Sequence, residues 1–325
     1  MNQWKVQHLL CSAVLLLWGA LTASAQVVPG TTLPETAQTP ISDQKMGSVL
    51  IYNYYTSDTA SFGTDTRITM TNNHPSSGVL VHLYFVSNSC GVRNGSMYLT
   101  RSQTAVFRTS DFDPDTTGYL LVMAQNGAGQ PINFNFLTGD AFVTTGNFTA
   151  SLSAEAIGAI VGYTGQAIVT DGDFDGAGTA VFGAGGQYGP LPRQLSISNF
   201  PSAFDAQTLL IVNGISSGSS LLDGMSGVGR VFALVYNDVE VPASTGFNVP
   251  CQTARVLSDA FPGTVPRMST LIPPGRSGWM RFYTGSSGAM LGAVIYSYPN
   301  GRSSGHNLHK LTYSGPISIL LPIFP

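Results

Sequence analysis

The residues whose type and spacing could do chemistry are few, and the sharpest group is Asp171, Asp173 and Asp175 in the run DGDFDG. Three carboxylates at alternate positions followed by Gly open the oxygen-rich calcium loop, in which the aspartates face the ion and Gly permits the sharp turn. Position 12 of such a loop takes a bidentate Glu, and here it is Phe182. The helix–loop–helix site is therefore excluded. A shorter calcium loop using the same three carboxylates stays open beside the plainer reading, a solvated Asp/Gly turn, and calcium is the one cofactor the sequence offers. Asp111, Asp113 and Asp115 in DFDPDTTG read as a second solvated turn. Glu35, Glu155 and Glu240 lie far apart in sequence. No pair of carboxyls at the roughly 5–9.5 Å that glycoside hydrolysis needs is legible. His306 and His309 in HNLHK stand three apart, without the third and fourth convergent ligands of a zinc site. The chain has no G-x-S-x-G, and GAGGQYGP lacks the Gly-Lys-Ser of a phosphate loop. No catalytic constellation emerges.

Binding is better served. In GRSGWMRFYTG, strand alternation puts Trp279, Arg281 and Tyr283 on one face. Arg and aromatic side chains in that arrangement are most simply the covered face of an edge strand; the functional alternative is a ligand-binding face, for sugars among other ligands. Cysteine supplies the remaining chemistry. Cys11 falls in an export signal, which leaves Cys90 and Cys251; an even pair in an oxidising compartment predicts one disulfide, with two buried free thiols or pairing to another chain as the alternatives. NGS at Asn94 and NFT at Asn147 are glycosylation sequons.

These residues sit in a chain of 325 residues with 14 Lys+Arg, 17 Asp+Glu, 10% charged and 43% hydrophobic residues, 37 Gly and 19 Pro. Abundant apolar and aromatic residues argue against a disordered chain. Gly and Pro follow no three-residue period, so it is not collagen. Fourteen basic residues in a near-neutral chain make nucleic acid a poor partner. Residues 1–25 have the layout of a signal peptide: Lys5, an apolar run from Leu9 to Leu21, then Ala23-Ser24-Ala25 before Gln26. Thirteen residues reach about 20 Å, too short for the hydrocarbon core of a bilayer. The mature chain is expected to lack a transmembrane segment and to be secreted, at the outer cell surface or in the periplasm.

Residues 26–46 read as an extended leader. From 47 onward, short runs of β-branched and aromatic residues alternate in polarity between turns rich in Asn, Gly and Pro. VLVHLYFVS, for example, puts Val79, Val81, Leu83 and Phe85 on one face and turns His82 outward. The pattern predicts an all-β protein of two immunoglobulin-like β-sandwich domains, 47–165 and 193–325, joined by a glycine-rich connector or hairpin at 166–192. The two blocks show weak internal similarity, with Cys90 and Cys251 in corresponding places. A partial apolar stripe at 151–165 offers a turn or two of helix, weakened by Gly158 and Gly162. The closing ISILLPIFP reads as a strand at the edge of the second sandwich.

The stretches TRITMTNNHPSSGVLVHLYFV, FNFLTGDAFV, IPPGRSGWM and GHNLHKLT together resemble a set of secreted bacterial β-rich proteins of unassigned function, over most of residues 48–325. The resemblance implies export from a Gram-negative cell and brings no site residues. The expected role is a secreted, non-enzymatic structural, adhesive or surface-associated module; a carbohydrate-binding protein or glycan-active enzyme is the alternative. Cell-surface or matrix components, glycans or further copies of the chain are its expected partners.

Overall fold

β-Branched and aromatic runs set between turn formers give strands throughout the described part of the chain. The structure is a computed structural model, and it describes residues 41–61, 63–172, 175–285 and 287–323. The predicted signal peptide therefore lies outside the described residues, as does the predicted leader up to residue 40. The end of that leader is docked on the first half: Ile41 is buried and Ser42 bridges Ala156.

The first half supplies β1 (Val49–Thr56), β2 (Asp65–Asn72), β3 (Val79–Ser87), β4 (Val92–Leu99), β5 (Thr104–Arg108), β6 (Thr117–Gln125), β7 (Leu137–Thr144), β8 (Thr149–Ser153) and β9 (Glu155–Ile157). They form two antiparallel sheets, β4-β3-β6-β1-β9 and β5-β2-β7-β8, which face each other across a core that includes Tyr52, Ile68, Met70, Leu83, Phe85 and Leu120. The second half supplies β10 (Ala177–Phe182), β11 (Pro192–Pro201), β12 (Gln207–Ser216), β13 (Ser219–Ser220), β14 (Gly229–Asn237), β15 (Pro242–Val249) and β16 (Gln252–Val256). After the short helix α1 (Met268–Leu271) come β17 (Ser277–Tyr283), β18 (Gly288–Ser297), β19 (Ser303–Asn307), β20 (His309–Tyr313) and β21 (Ile317–Pro322). The sheets β15-β14-β17-β11-β20 and β16-β12-β18-β19 enclose a second core around Ile197, Leu210, Val235, Met280 and Phe282.

Two expectations are corrected. The partial stripe at 151–165 is not helical: β8 and β9 run through it, and Glu155–Ile157 pair with Val49–Ile51. Gly158 and Gly162 cost a helix about 1 kcal/mol each, whereas the ladder with β1 satisfies the same backbone. The C-terminal strand is not at an edge. β21 is the middle of a three-stranded sheet, antiparallel to β10 and parallel to β13.

That small sheet, together with β12 and β18, explains why β1 is buried at all eight positions. One face of β1, β3 and β6 looks into the first core. The other, with Val49, Ile51, Tyr84 and Leu121, packs against Ile317, Ile319 and Leu321 together with Ile215 and Leu291 of the second half. β12 and β18 are likewise covered on both sides, since Ile211, Ala293 and Ile295 pack on Val143 and Leu152. The sheet β15-β14-β17-β11-β20 is different. β14 and β17 alternate between buried and accessible positions, so one face of this sheet is left to solvent.

The predicted disulfide is present. Cys90 and Cys251 are bonded with their Cα atoms 5.1 Å apart, and the bond joins the β3–β4 turn to the β15–β16 junction across a separation of 161 residues. A cross-link over so long a loop removes conformational freedom chiefly from the unfolded chain. Reduction should therefore lower unfolding free energy by about 2–4 kcal/mol. Urea melts with and without reductant test this; coincident midpoints would show that the bond constrains nothing.

Candidate functional site

Because β14 and β17 are antiparallel neighbours, their register sets the outward side chains in ranks: Phe232 opposite Tyr283, Leu234 opposite Arg281, Tyr236 opposite Trp279. Adjacent strands lie about 4.8 Å apart, and outward residues recur about every 7 Å along each strand. On the next strand Gln194 stands opposite Tyr283 and Ser196 opposite Arg281. Thr312 and His309 on β20 extend these two ranks to the sheet edge. On the other side Gly246 and Ser244 of β15 stand opposite Phe232 and Leu234. The result is a five-strand platform facing water.

The predicted trio of Trp279, Arg281 and Tyr283 does share this face, on a central strand rather than an edge. Its members play different parts. Tyr236 stacks on the Trp279 ring at 3.9 Å and 7°, while the Arg281 guanidinium lies 5.1 Å from the Trp279 centroid. Trp279 thus has planar groups against it and serves to hold Arg281, which is exposed. The open rings are Phe232 and Tyr283, 6.0 Å apart and tilted at 45°, with Phe232 49% exposed. Gly246 matters to this opening: a Cβ there would lie 2.9 Å from Arg230 Nε, so the Arg230 side chain crosses over the glycine beside Phe232. An apolar ring pair flanked by guanidinium, amide and hydroxyl groups can stack on the apolar face of a sugar and hydrogen-bond its rim.

Sequence reading missed Phe232 and Tyr236. GRVFALVYN is apolar at both parities, so its period does not say which face is outward, and the opposition of residues 236 and 279 is a long-range register.

The other candidates are placed elsewhere. Asp171 accepts hydrogen bonds from the backbone N–H groups of Asp175 and Gly176, and Asp175 accepts one from Ala177 N–H. Asp173 lies outside the described residues. Among the described residues no group of three His, Cys, Asp or Glu side chains is arranged to hold a metal. Asp111, Asp113 and Asp115 diverge. Asp113 is buried, accepting from the Tyr55 hydroxyl at 2.6 Å and pairing with Arg93, whereas Asp115 accepts from Thr59 and Asp111 from Arg108 N–H.

His306 and His309, with ring centroids 5.9 Å apart, line a cleft of about 440 Å3 with Asp43, Lys310 and Tyr313. Behind it Lys310 forms an ion pair with Glu155, which is fully buried on β9. Asn53 Nδ2 donates to Glu155 and to Asn307 Oδ1, and Asn213 Nδ2 donates back to Asn53. Burial pushes the Glu155 carboxyl up to about 7, against the pull of Lys310 and Asn53 in the other direction. This network ties the edge of one sheet pair to the edge of the other.

No family model matches the chain, and no curated protein matches it. Among solved structures, the lectin of Pleurotus ostreatus in complex with GalNAc is 9% identical over 82% of this chain and 83% of that one, with a TM-score of 0.17. The same lectin in its apo form is 10% identical over 81% and 82%, with a TM-score of 0.15. Overlaps at these scores carry no argument about the fold or the ligand of this chain.

Proposed function

We propose that the chain is a secreted carbohydrate-binding protein, built of two immunoglobulin-like β-sandwich domains, that holds a glycan on the open face of the β15-β14-β17-β11-β20 sheet. The observation that carries the reading is the pair of accessible rings, Phe232 and Tyr283, side by side on that face with Arg281 fixed beside them. Export is supported by the signal-like layout of residues 1–25 and by the resemblance to secreted bacterial β-rich proteins. Among the described residues no helix is long and apolar enough to cross a membrane. In this reading the chain is an adhesive, surface-associated module whose adhesion is glycan capture.

Affinity electrophoresis of the chain through gels carrying a panel of neutral and acidic polysaccharides tests it. At least one polymer should retard the protein, and Phe232→Ala with Tyr283→Ala should weaken that retardation about 5- to 150-fold, on the scale of roughly 0.5–1.5 kcal/mol for each ring contact. Both substitutions lie on an exposed face, so the melting temperature should hold. No retardation by any polymer, or equal retardation of the double variant, would overturn the assignment.

A further inference from the structure

The five strands of the open sheet, PRQLSISNFP, GRVFALVYN, PASTGFNV, SGWMRFY and HKLTY, contain no Asp and no Glu. They do contain Arg193, Arg230, Arg281, His309 and Lys310, in a chain whose acidic residues outnumber its basic ones 17 to 14. Lys310 is taken up by Glu155. Arg230 and Arg281 are exposed, and no ion pair among the described residues includes either. Asp223 precedes Arg230 in the sequence and accepts from Ser220 Oγ, while Asp238 and Glu240 lie in the β14–β15 turn, where Asp238 is paired with Arg276. The exposed face of the β5-β2-β7-β8 sheet differs: β2 and β7 carry Asp65 and Asp140 among their residues, beside Arg67.

The placement of the two free guanidiniums is specific. Along β14 and β17 the order is Arg230, then the Phe232–Tyr283 pair, then the Leu234–Arg281 rank. The two arginine positions therefore stand about 7 Å along the strands on each side of the open rings; the Arg230 side chain lies over Gly246, next to Phe232, and the Arg281 guanidinium leans toward Trp279. Arg281 is steadied by the Trp279 ring and Arg230 crosses Gly246, so neither is a freely waving surface charge. Guanidinium presents a planar fork of donors that matches an oxyanion in two-point contact. A sugar stacked on Phe232 and Tyr283 would put its substituents within reach of both forks.

We infer that the glycan this face takes is an anionic polysaccharide, its carboxylate or sulfate groups received by Arg281 and Arg230 on either side of the Phe232–Tyr283 ring pair. The inference rests on the carbohydrate-binding reading and narrows it to a ligand class. Charge complementarity selects the occupant. The ring pair distinguishes a sugar polymer from a bare polyanion, and two forks set apart by a ring match charges carried on successive or alternate sugars.

The test compares polygalacturonate with its carboxyl-reduced, neutral counterpart, using the full mature chain at low and moderate salt. Polygalacturonate should bind at least tenfold more tightly, and the preference should shrink as salt rises, because exposed charges are screened. Arg281→Gln and Arg230→Gln should each erase most of the preference while leaving weak binding to the neutral polymer, which still meets the rings. Arg281→Lys should restore only part of it, since a point charge replaces the fork. Dextran sulfate separates the two oxyanions: tighter binding to it than to polygalacturonate keeps the anionic class and assigns sulfate. Equal binding to the charged and reduced polymers would overturn the inference and leave carbohydrate binding standing. Binding to neither, nor to dextran sulfate, nor to any other polysaccharide would remove both. Single-stranded DNA held as tightly as polygalacturonate, with no loss in the Phe232→Ala, Tyr283→Ala variant, would mark a polyanion surface and overturn the glycan assignment.

Discussion

Deleting residues 317–325 should leave the chain unfolded or aggregating, the largest effect expected of any change considered for this protein. Ile317, Ile319 and Leu321 are at most 1% exposed and Ile323 is 6% exposed, and all four belong to the core that covers β1, β3 and β6. Each large aliphatic removed from the interior forfeits about 1.5–3 kcal/mol, so the four together approach roughly 6–12 kcal/mol. That rivals a whole domain's net stability of about 5–15 kcal/mol. The loss does not end with the side chains. β10 and β13 have β21 as their partner in the three-stranded sheet, so truncation leaves that sheet without its middle strand. It also exposes the outer face of β1 and β6 to water. Ile319→Ala is the graded version and should cost about 2–5 kcal/mol. Circular dichroism and light scattering on the truncated chain decide the matter. A folded monomer with an unchanged melting temperature would mean that the strand contributes no stability; a folded chain that has only lost assembly would mean that it pairs with a neighbour instead of with β10.

The strands were legible where a period of two carries the information, and less so where a third layer intervenes. Val79, Val81, Leu83 and Phe85 do share one buried face, as their alternation requires. Alternation turns His82 outward, but the parity it belongs to is covered farther along the strand: Tyr84 and Val86 share a buried core with the small sheet, and His82 stacks on Tyr84 at 4.4 Å. Desolvation there holds the His82 imidazole below its ordinary pKa. Alternation reports that a strand has two faces, but whether the second is covered depends on β10 and β21, far away in sequence. The same limit applies to the site. Trp279, Arg281 and Tyr283 were found because they lie on one strand. Phe232 and Gln194 complete the face only through pairings between distant segments. Tyr236 stacks on Trp279 and so turns the most conspicuous aromatic of the trio into a support for Arg281. Glu155 shows the reverse error. It lies in the stretch read as a weak helix, yet it is a buried partner for Lys310 on the other half of the chain.

Lys310→Met should be the most damaging single substitution of a charged residue, costing about 3–5 kcal/mol at pH 8, the usual penalty for leaving one member of a buried pair uncompensated. Glu155 would then sit fully buried, with the side-chain amide of Asn53 as its remaining hydrogen-bond donor and Asp43 acting against its charge. The cost should depend on pH with a definite sign. The folded-state pKa of Glu155 is already raised, from 4.5 to about 7, so its folded form holds a proton more readily than the unfolded chain does. Such a group's favourable contribution is complete below about 4.5 and is lost as pH rises through the folded value. In the native protein that window is about 4.5 to 7. In Lys310→Met the window should extend higher, because the ammonium that lowers the Glu155 pKa is gone. Urea titrations at pH 5 and pH 8 should therefore show the variant recovering much of its lost stability at the lower pH. Lys310→Met combined with Glu155→Gln should recover most of it at both, since the neutral amide can still accept from Asn53 and no buried charge remains. If the single variant is equally stable at the two pH values, or if the double variant is no better than the single one at pH 8, then the pair is not what ties β9 to β20, and packing around Asn53, Asn213 and Asn307 must hold the two halves together without it.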